Sequence, residues 1–178
     1  MNKIVVYKSQ SGFTKMYGEL IAEKLMCDAV SMKEMKIKKL KDYDVIIFGG
    51  GVHAGSINGL KNVKKIVGKL VNKKLVVFCT GATPAEEIKS IEEIKNRNFS
   101  KSELSDIPFF YLQSGLNYNK MNVSGKMMMK LLLKMLENKA DKTEQDIAMA
   151  NMIKESYDIS DKKYIDSLVT CVKEMDNE

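Results

Sequence analysis

Ile4-Val5-Val6-Tyr7-Lys8-Ser9-Gln10-Ser11-Gly12-Phe13-Thr14 is the stretch that decides the reading of this chain. A short apolar run predicts a strand. The hydroxyl-rich turn after it leads directly into a helical pattern, with Tyr17, Leu20, Ile21 and Leu25 on one side. An anion at this turn would meet backbone N–H groups at a helix start, where the macrodipole favours negative charge. Ser9, Ser11 and Thr14 add hydroxyls, and Gly12 lets the backbone approach closely. The turn has neither the lysine pattern of a P-loop nor the glycine triplet of a dinucleotide fold, which argues against a nucleoside triphosphate. From spacing alone, a polar turn that merely caps the helix explains the same residues equally well.

Further along, residues 28–31 form a weak second strand, and residues 43–48 a strong third one ended by Gly49, Gly50 and Gly51. Leu60, Val63, Val67 and Leu70 mark a helix. Residues 75–79 form a fourth strand, ending at Thr80-Gly81. Pro84 opens a helix with Ile88, Ile91 and Ile94 on its inner side, and Pro108 precedes a fifth strand, residues 109–112. Short continuous apolar runs alternating with helical patterns predict an α/β, doubly wound parallel sheet buried on both faces. In such sheets ligands bind at the carboxyl ends of the strands. Two more loops fall there: Gly49-Gly50-Gly51-Val52-His53-Ala54-Gly55-Ser56, where a flat ring could lie against Val52 and His53, and Thr80-Gly81-Ala82-Thr83-Pro84. Ordinary turn chemistry accounts for either loop alone, and less well for three loops converging on one sheet edge.

The chain has 178 residues, 44% hydrophobic and 29% charged, which fits one domain. No apolar run suits a signal peptide or a membrane-crossing helix, so the expectation is a cytoplasmic protein. Cys27, Cys79 and Cys171 form no ligand or redox pair and are expected to be buried thiols. His53 is the sole histidine, which excludes a multi-histidine metal site within one chain; no metal is expected. The net charge is +6, and Arg97 is the one arginine among 29 basic residues. A basic surface favours anionic partners, but lysine reads base edges poorly, so no specific nucleic-acid role is expected.

The stretch from Gly115 to Ser160 exceeds what one strand-to-helix connection requires, and reads as a helical insertion over about residues 116–159. Residues 124–136 form a dense helical pattern, residues 143–157 another, and Ser160 caps a last helix with Ile165, Leu168, Val169 and Val172 inward. In the first of these, Lys126, Lys130 and Lys134 share one face while methionines and leucines fill the rest. A surface helix needs a much narrower apolar stripe. The excess is either covered by the rest of the insertion or offered to a homodimer contact, a peripheral membrane contact or a hydrophobic substrate. Asn117 and Tyr118 are candidates for the mouth of the site.

Ser9-Gln10-Ser11-Gly12-Phe13-Thr14 fits the Ser/Thr-x-Ser/Thr-Gly-x-Thr loop of the flavodoxin family at every fixed position, and the chain resembles that family over almost its whole length. The resemblance implies a five-stranded parallel sheet in the order 2-1-3-4-5. It also implies FMN, with its phosphate at residues 9–14 and its isoalloxazine between Gly51-Val52-His53-Ala54-Gly55 and Thr80-Gly81-Ala82-Thr83. The loop from Gly49 to Gly55 and the Leu112-Gln113-Ser114-Gly115 stretch are similar to the branch that contains menaquinone-dependent protoporphyrinogen oxidase. The chain departs from that branch in lacking tryptophan and in its lysine-rich insertion.

The resemblance leaves three functional classes: an oxidoreductase acting on an anionic or aromatic small molecule, an electron carrier docking on redox partner proteins, and a flavin-binding regulator. Flavodoxin carriers are acidic, so a basic charge and a long insertion favour the oxidoreductase. His53 is the residue nominated for acid–base chemistry beside the ring, against the plainer role of packing on it.

Overall fold

The computed structural model describes residues 1–177. Five parallel strands, β1 (Lys3–Lys8), β2 (Asp28–Ser31), β3 (Val45–His53), β5 (Lys74–Gly81) and β6 (Phe109–Gln113), form a sheet in the order β2-β1-β3-β5-β6. This is the expected order, with one short strand, β4 (Ser56–Ile57), added antiparallel to the end of β3. Helix α1 (Phe13–Leu25) follows β1, α2 (Leu60–Val67) follows the β3–β4 hairpin, and α3 (Ile88–Asn98) and α4 (Lys101–Asp106) connect β5 to β6.

Alternation along the strands divides the apolar residues between two cores. Ile4, Val6, Ile46, Phe48, Val77 and Cys79 face α2 and α3. Val5, Ile47, Val76 and Phe78 face α1 and α7 (Asp166–Glu174), where Tyr17, Ile21, Leu168 and Val172 complete the packing. The central strands are buried on both faces, which explains why they read as unbroken apolar runs.

The sheet, the β5–β6 connection and the cysteines depart from expectation in three places. The glycines at 49–51 do not end the third strand: β3 runs through them to His53, with Gly49 and Gly50 paired to Tyr7 and Lys8. They are strand glycines because neighbours occupy the space of their side chains. A Cβ on Gly49 would fall 2.0 Å from Cζ of Phe78, and one on Gly50 would fall 2.6 Å from the Asn58 carbonyl oxygen. Second, α3 begins four residues after Pro84, and Ile88 is exposed rather than inward. Third, only Cys79 is fully buried; Cys27 and Cys171 are half-buried.

The insertion comprises β7 (Gly115–Leu116), a 3-10 turn at Tyr118–Lys120, α5 (Val123–Glu137), α6 (Glu144–Met152) and β8 (Tyr157–Asp158), which pairs antiparallel with β7. Asn122 caps α5, and a Thr143–Asp146 capping box opens α6. The last helix is approached through a 3-10 turn, Lys162–Ile165, capped by Asp161 rather than by Ser160. No described helix is long and apolar enough to cross a membrane.

Candidate functional site

The carboxyl ends of β1, β3 and β5 meet at Thr14, Gly51 and Thr80. Thr14 and Thr80 are both buried, and their hydroxyl oxygens lie 2.8 Å apart in a hydrogen bond. A Cβ on Gly51 would sit 3.6 Å from Oγ1 of Thr14 and 3.9 Å from Oγ1 of Thr80, so these three residues share one small space.

The first turn gives its helix no side-chain cap. Gly12 is the N-cap residue of α1, in the left-handed region at φ 103°. The Ser9 hydroxyl accepts from the Gly12 N–H at 3.2 Å and braces the turn. Thr14 is engaged with Thr80, while Oγ of Ser11 has no partner among the described residues. The first backbone bond of the helix runs from Met16 N–H to Gly12 O, so the N–H groups of Phe13, Thr14 and Lys15 precede the ladder.

The insertion completes this turn from above. The Asn117 amide donates to the Ser11 carbonyl at 3.4 Å. The ammonium of Lys120 would lie 3.1 Å from a Cβ on Gly12. A free hydroxyl, uncommitted first-turn N–H groups and an ammonium together fit a phosphate. Tyr118, by contrast, turns its hydroxyl back into the insertion, where it donates to the Ile153 carbonyl. Asn117 thus lies against the loop as expected, and Tyr118 does not.

The second loop is a β-hairpin. Val52 and His53 pair with Ile57 and Ser56, and the turn residues Ala54 and Gly55 have φ of 48° and 76°. Two positive φ values are what a type I′ hairpin turn requires, and alanine bears a strain there that glycine does not. Asn98 at the end of α3 clamps the hairpin: its amide donates to the Gly55 carbonyl at 2.7 Å, and its carbonyl oxygen accepts from the Ile57 N–H at 2.9 Å. Successive strand residues face opposite ways. Val52 packs partly on the core, and His53 is exposed.

The third loop is pinned through its carbonyls. Ser114 donates to Gly81 O from its backbone at 2.8 Å and from its hydroxyl at 3.0 Å. Tyr157 donates to Ala82 O at 3.2 Å, and Tyr111 to Thr83 O at 2.8 Å. Gln113 accepts from the Ala85 N–H at 2.6 Å. Burial pushes the Tyr111 and Tyr157 hydroxyls above their ordinary pKa, so both remain donors at neutral pH. Beneath the site, Tyr17 donates to Gln113 O and accepts from the Asp161 N–H at 3.0 Å; burial pushes its pKa up to about 12.

Gln10 and Phe13 are also among the residues the sequence nominates. Gln10 is exposed at the apex of the first turn, and Phe13 is half-buried as the first residue of α1. The sequence does not nominate Lys120, Asn98, Gln113 or Tyr157 for the site. These act on the loops from distant segments, and only the polar character of Gln113 at the end of a buried strand carries a local signal. A groove of about 530 Å³ runs along α1 from Gly12 and Lys120 to Met16, Leu20 and Lys162. Of the residues nominated from sequence, it reaches only Gly12. No group of side chains suited to a metal occurs among the described residues.

Comparison with solved structures finds similar chains of low identity. A flavodoxin from the domain Archaea is 18% identical, with 97% of this chain and 99% of that one covered and a TM-score of 0.45. A flavodoxin WrbA-like protein from Agrobacterium tumefaciens is 17% identical, with 85% and 96% covered and a TM-score of 0.43. The Megasphaera elsdenii flavodoxin is 14% identical, with 68% and 89% covered and a TM-score of 0.44. No curated protein matches significantly. Membership is decided by a family model, described as Flavodoxin domain, that matches residues 4–143. The chain belongs to the flavodoxin domain family, which implies FMN as its cofactor.

Proposed function

We propose that the FMN phosphate sits on the Ser9–Thr14 turn, with the isoalloxazine between the Gly51–Gly55 stretch of the β3–β4 hairpin and the Thr80–Thr83 loop. One observation carries this reading. The hydroxyl-rich turn leaves α1 without a side-chain cap and the Ser11 hydroxyl without a partner among the described residues, with the ammonium of Lys120 against Gly12. A turn that existed only to cap the helix would spend its hydroxyls on the first-turn N–H groups. Bound FMN supplies one- and two-electron redox chemistry. The protein's part is to hold and insulate it. Thr14 and Thr80 lock the first and third loops together, Asn98 fixes the hairpin, and Tyr111, Tyr157 and Gln113 hold the third loop rigid. In this reading His53, exposed on the hairpin, exchanges a proton at the ring's edge.

The finer reading is an oxidoreductase with its own substrate, either protoporphyrinogen oxidase-like or quinone-linked. It is supported by the +6 charge and by the insertion that reaches over the first and third loops. Protoporphyrinogen is an apolar macrocycle edged with carboxylates, and suits a lysine-rich rim; other anionic aromatic compounds suit it too. Family membership itself favours the second reading, an electron carrier. An anaerobic assay separates them. Protoporphyrinogen should reduce the bound flavin rapidly and saturably, and a menaquinone analogue should reoxidise it. If neither reacts while the reduced protein passes electrons to cytochrome c and ferredoxin-type partners, the carrier reading stands.

A further inference from the structure

Exposed apolar surface is concentrated on the insertion. Twelve large hydrophobic residues are exposed among the described residues, and seven of them lie on α5 and α6. On α5, Val123 (78% exposed), Met127 (68%), Leu131 (59%) and Met135 (63%) recur every fourth residue and form one stripe. At 1.5 Å per residue, the fifteen residues of α5 make this stripe about 20 Å long. Met128, Met129, Leu132, Leu133 and Leu136 are half-buried, so the helix already has its inward face and the stripe is additional.

Beside the stripe run Lys126, Lys130 and Lys134, each exposed and none in an ion pair among the described residues. The one acid of α5, Glu137, pairs with Lys154 at 3.7 Å. A continuous apolar row edged by unpaired lysines is the pattern of a helix lying in a membrane interface. Lysine stems cover apolar surface while their ammonium groups reach the headgroups. A second copy of this chain fits less well, because a symmetric contact through the stripe would crowd two rows of unpaired lysines with no acid between them.

We propose that α5 docks the protein on an anionic lipid surface, with Met127, Leu131 and Met135 entering the acyl boundary and Lys126, Lys130 and Lys134 at the phosphates. Docking does not depend on the flavin reading, so it is tested on the full chain without added FMN. Sedimentation with vesicles of phosphatidylglycerol and phosphatidylcholine, against phosphatidylcholine alone, should show binding to the anionic vesicles only. The double variant M127E/L131E changes only exposed positions and should abolish binding with its thermal melt unchanged. The triple variant K126Q/K130Q/K134Q keeps the apolar row and should lower partitioning about fivefold per lysine. No binding of the wild-type chain to anionic vesicles would overturn the proposal. So would equal binding by M127E/L131E, or a wild-type dimer in solution that this variant dissociates.

Discussion

Replacing Ser11 by alanine should weaken FMN and leave riboflavin alone. The Ser11 hydroxyl is half-buried in the turn and bonds to nothing else among the described residues, so its removal should change the stability of the ligand-free protein by no more than ~0.5 kcal/mol. Against a phosphate dianion it supplies one charge-assisted hydrogen bond, worth about 1.5–3 kcal/mol. That corresponds to a loss of about 10- to 140-fold in FMN affinity at ~1.4 kcal/mol per tenfold. Riboflavin has no phosphate and should bind wild type and S11A equally. Thr14 is a poorer probe. Its hydroxyl is bonded to Thr80 in a buried site, so T14A also strands the Thr80 hydroxyl and lowers stability by about 1–3 kcal/mol. Fluorescence titrations of both flavins with both variants separate these effects. Equal weakening of the two flavins by S11A, or FMN affinity unchanged, would refute the placement of the phosphate.

Three further outcomes follow from the packing. G49A should cost about 1–3 kcal/mol or more in urea unfolding, because the new Cβ would overlap the fully buried ring of Phe78; a melt equal to wild type would contradict the register of β3 and β5. The Tyr17 pKa is raised in the fold from 10.0 to about 12 by burial, so its contribution is present below pH 10.0 and is lost as pH rises toward about 12. Y17F should therefore show a shallower alkaline loss of stability than wild type, and an unchanged slope would remove Tyr17 from the cause. Cys79 is fully buried with its thiol pushed well above the ordinary range, so iodoacetamide should label it only after unfolding; mass spectrometry of the native protein checks this.

The sheet was legible in the sequence because its strands are buried on both faces, which leaves runs such as Ile4-Val5-Val6 and Val45-Ile46-Ile47-Phe48 with no polar interruption. The uncapped hydroxyl-rich turn at the start of α1 was legible because it is made of neighbouring residues, Ser9 to Thr14. The glycines at 49–51 misled for a physical reason. Glycine signals a turn locally, but Gly49 and Gly50 answer to Phe78 and to the folded-back hairpin, which no local pattern reveals. The third loop's fixed shape was likewise hidden, since Tyr157 and Gln113 reach it through tertiary contacts. The lysine row of α5 could be read from spacing. Which apolar residues stay exposed depended on how α5 leans on α6, and that required the structure.

The proposed site holds FMN at the carboxyl edge of the sheet through the turns at Ser9–Thr14, Gly51–Gly55 and Thr80–Thr83. Titration of the purified, flavin-free chain with FMN, followed by quenching of flavin fluorescence, tests it most directly. Binding should saturate at one FMN per chain, with quenched emission and markedly weaker binding of riboflavin. No detectable binding at micromolar FMN would contradict it.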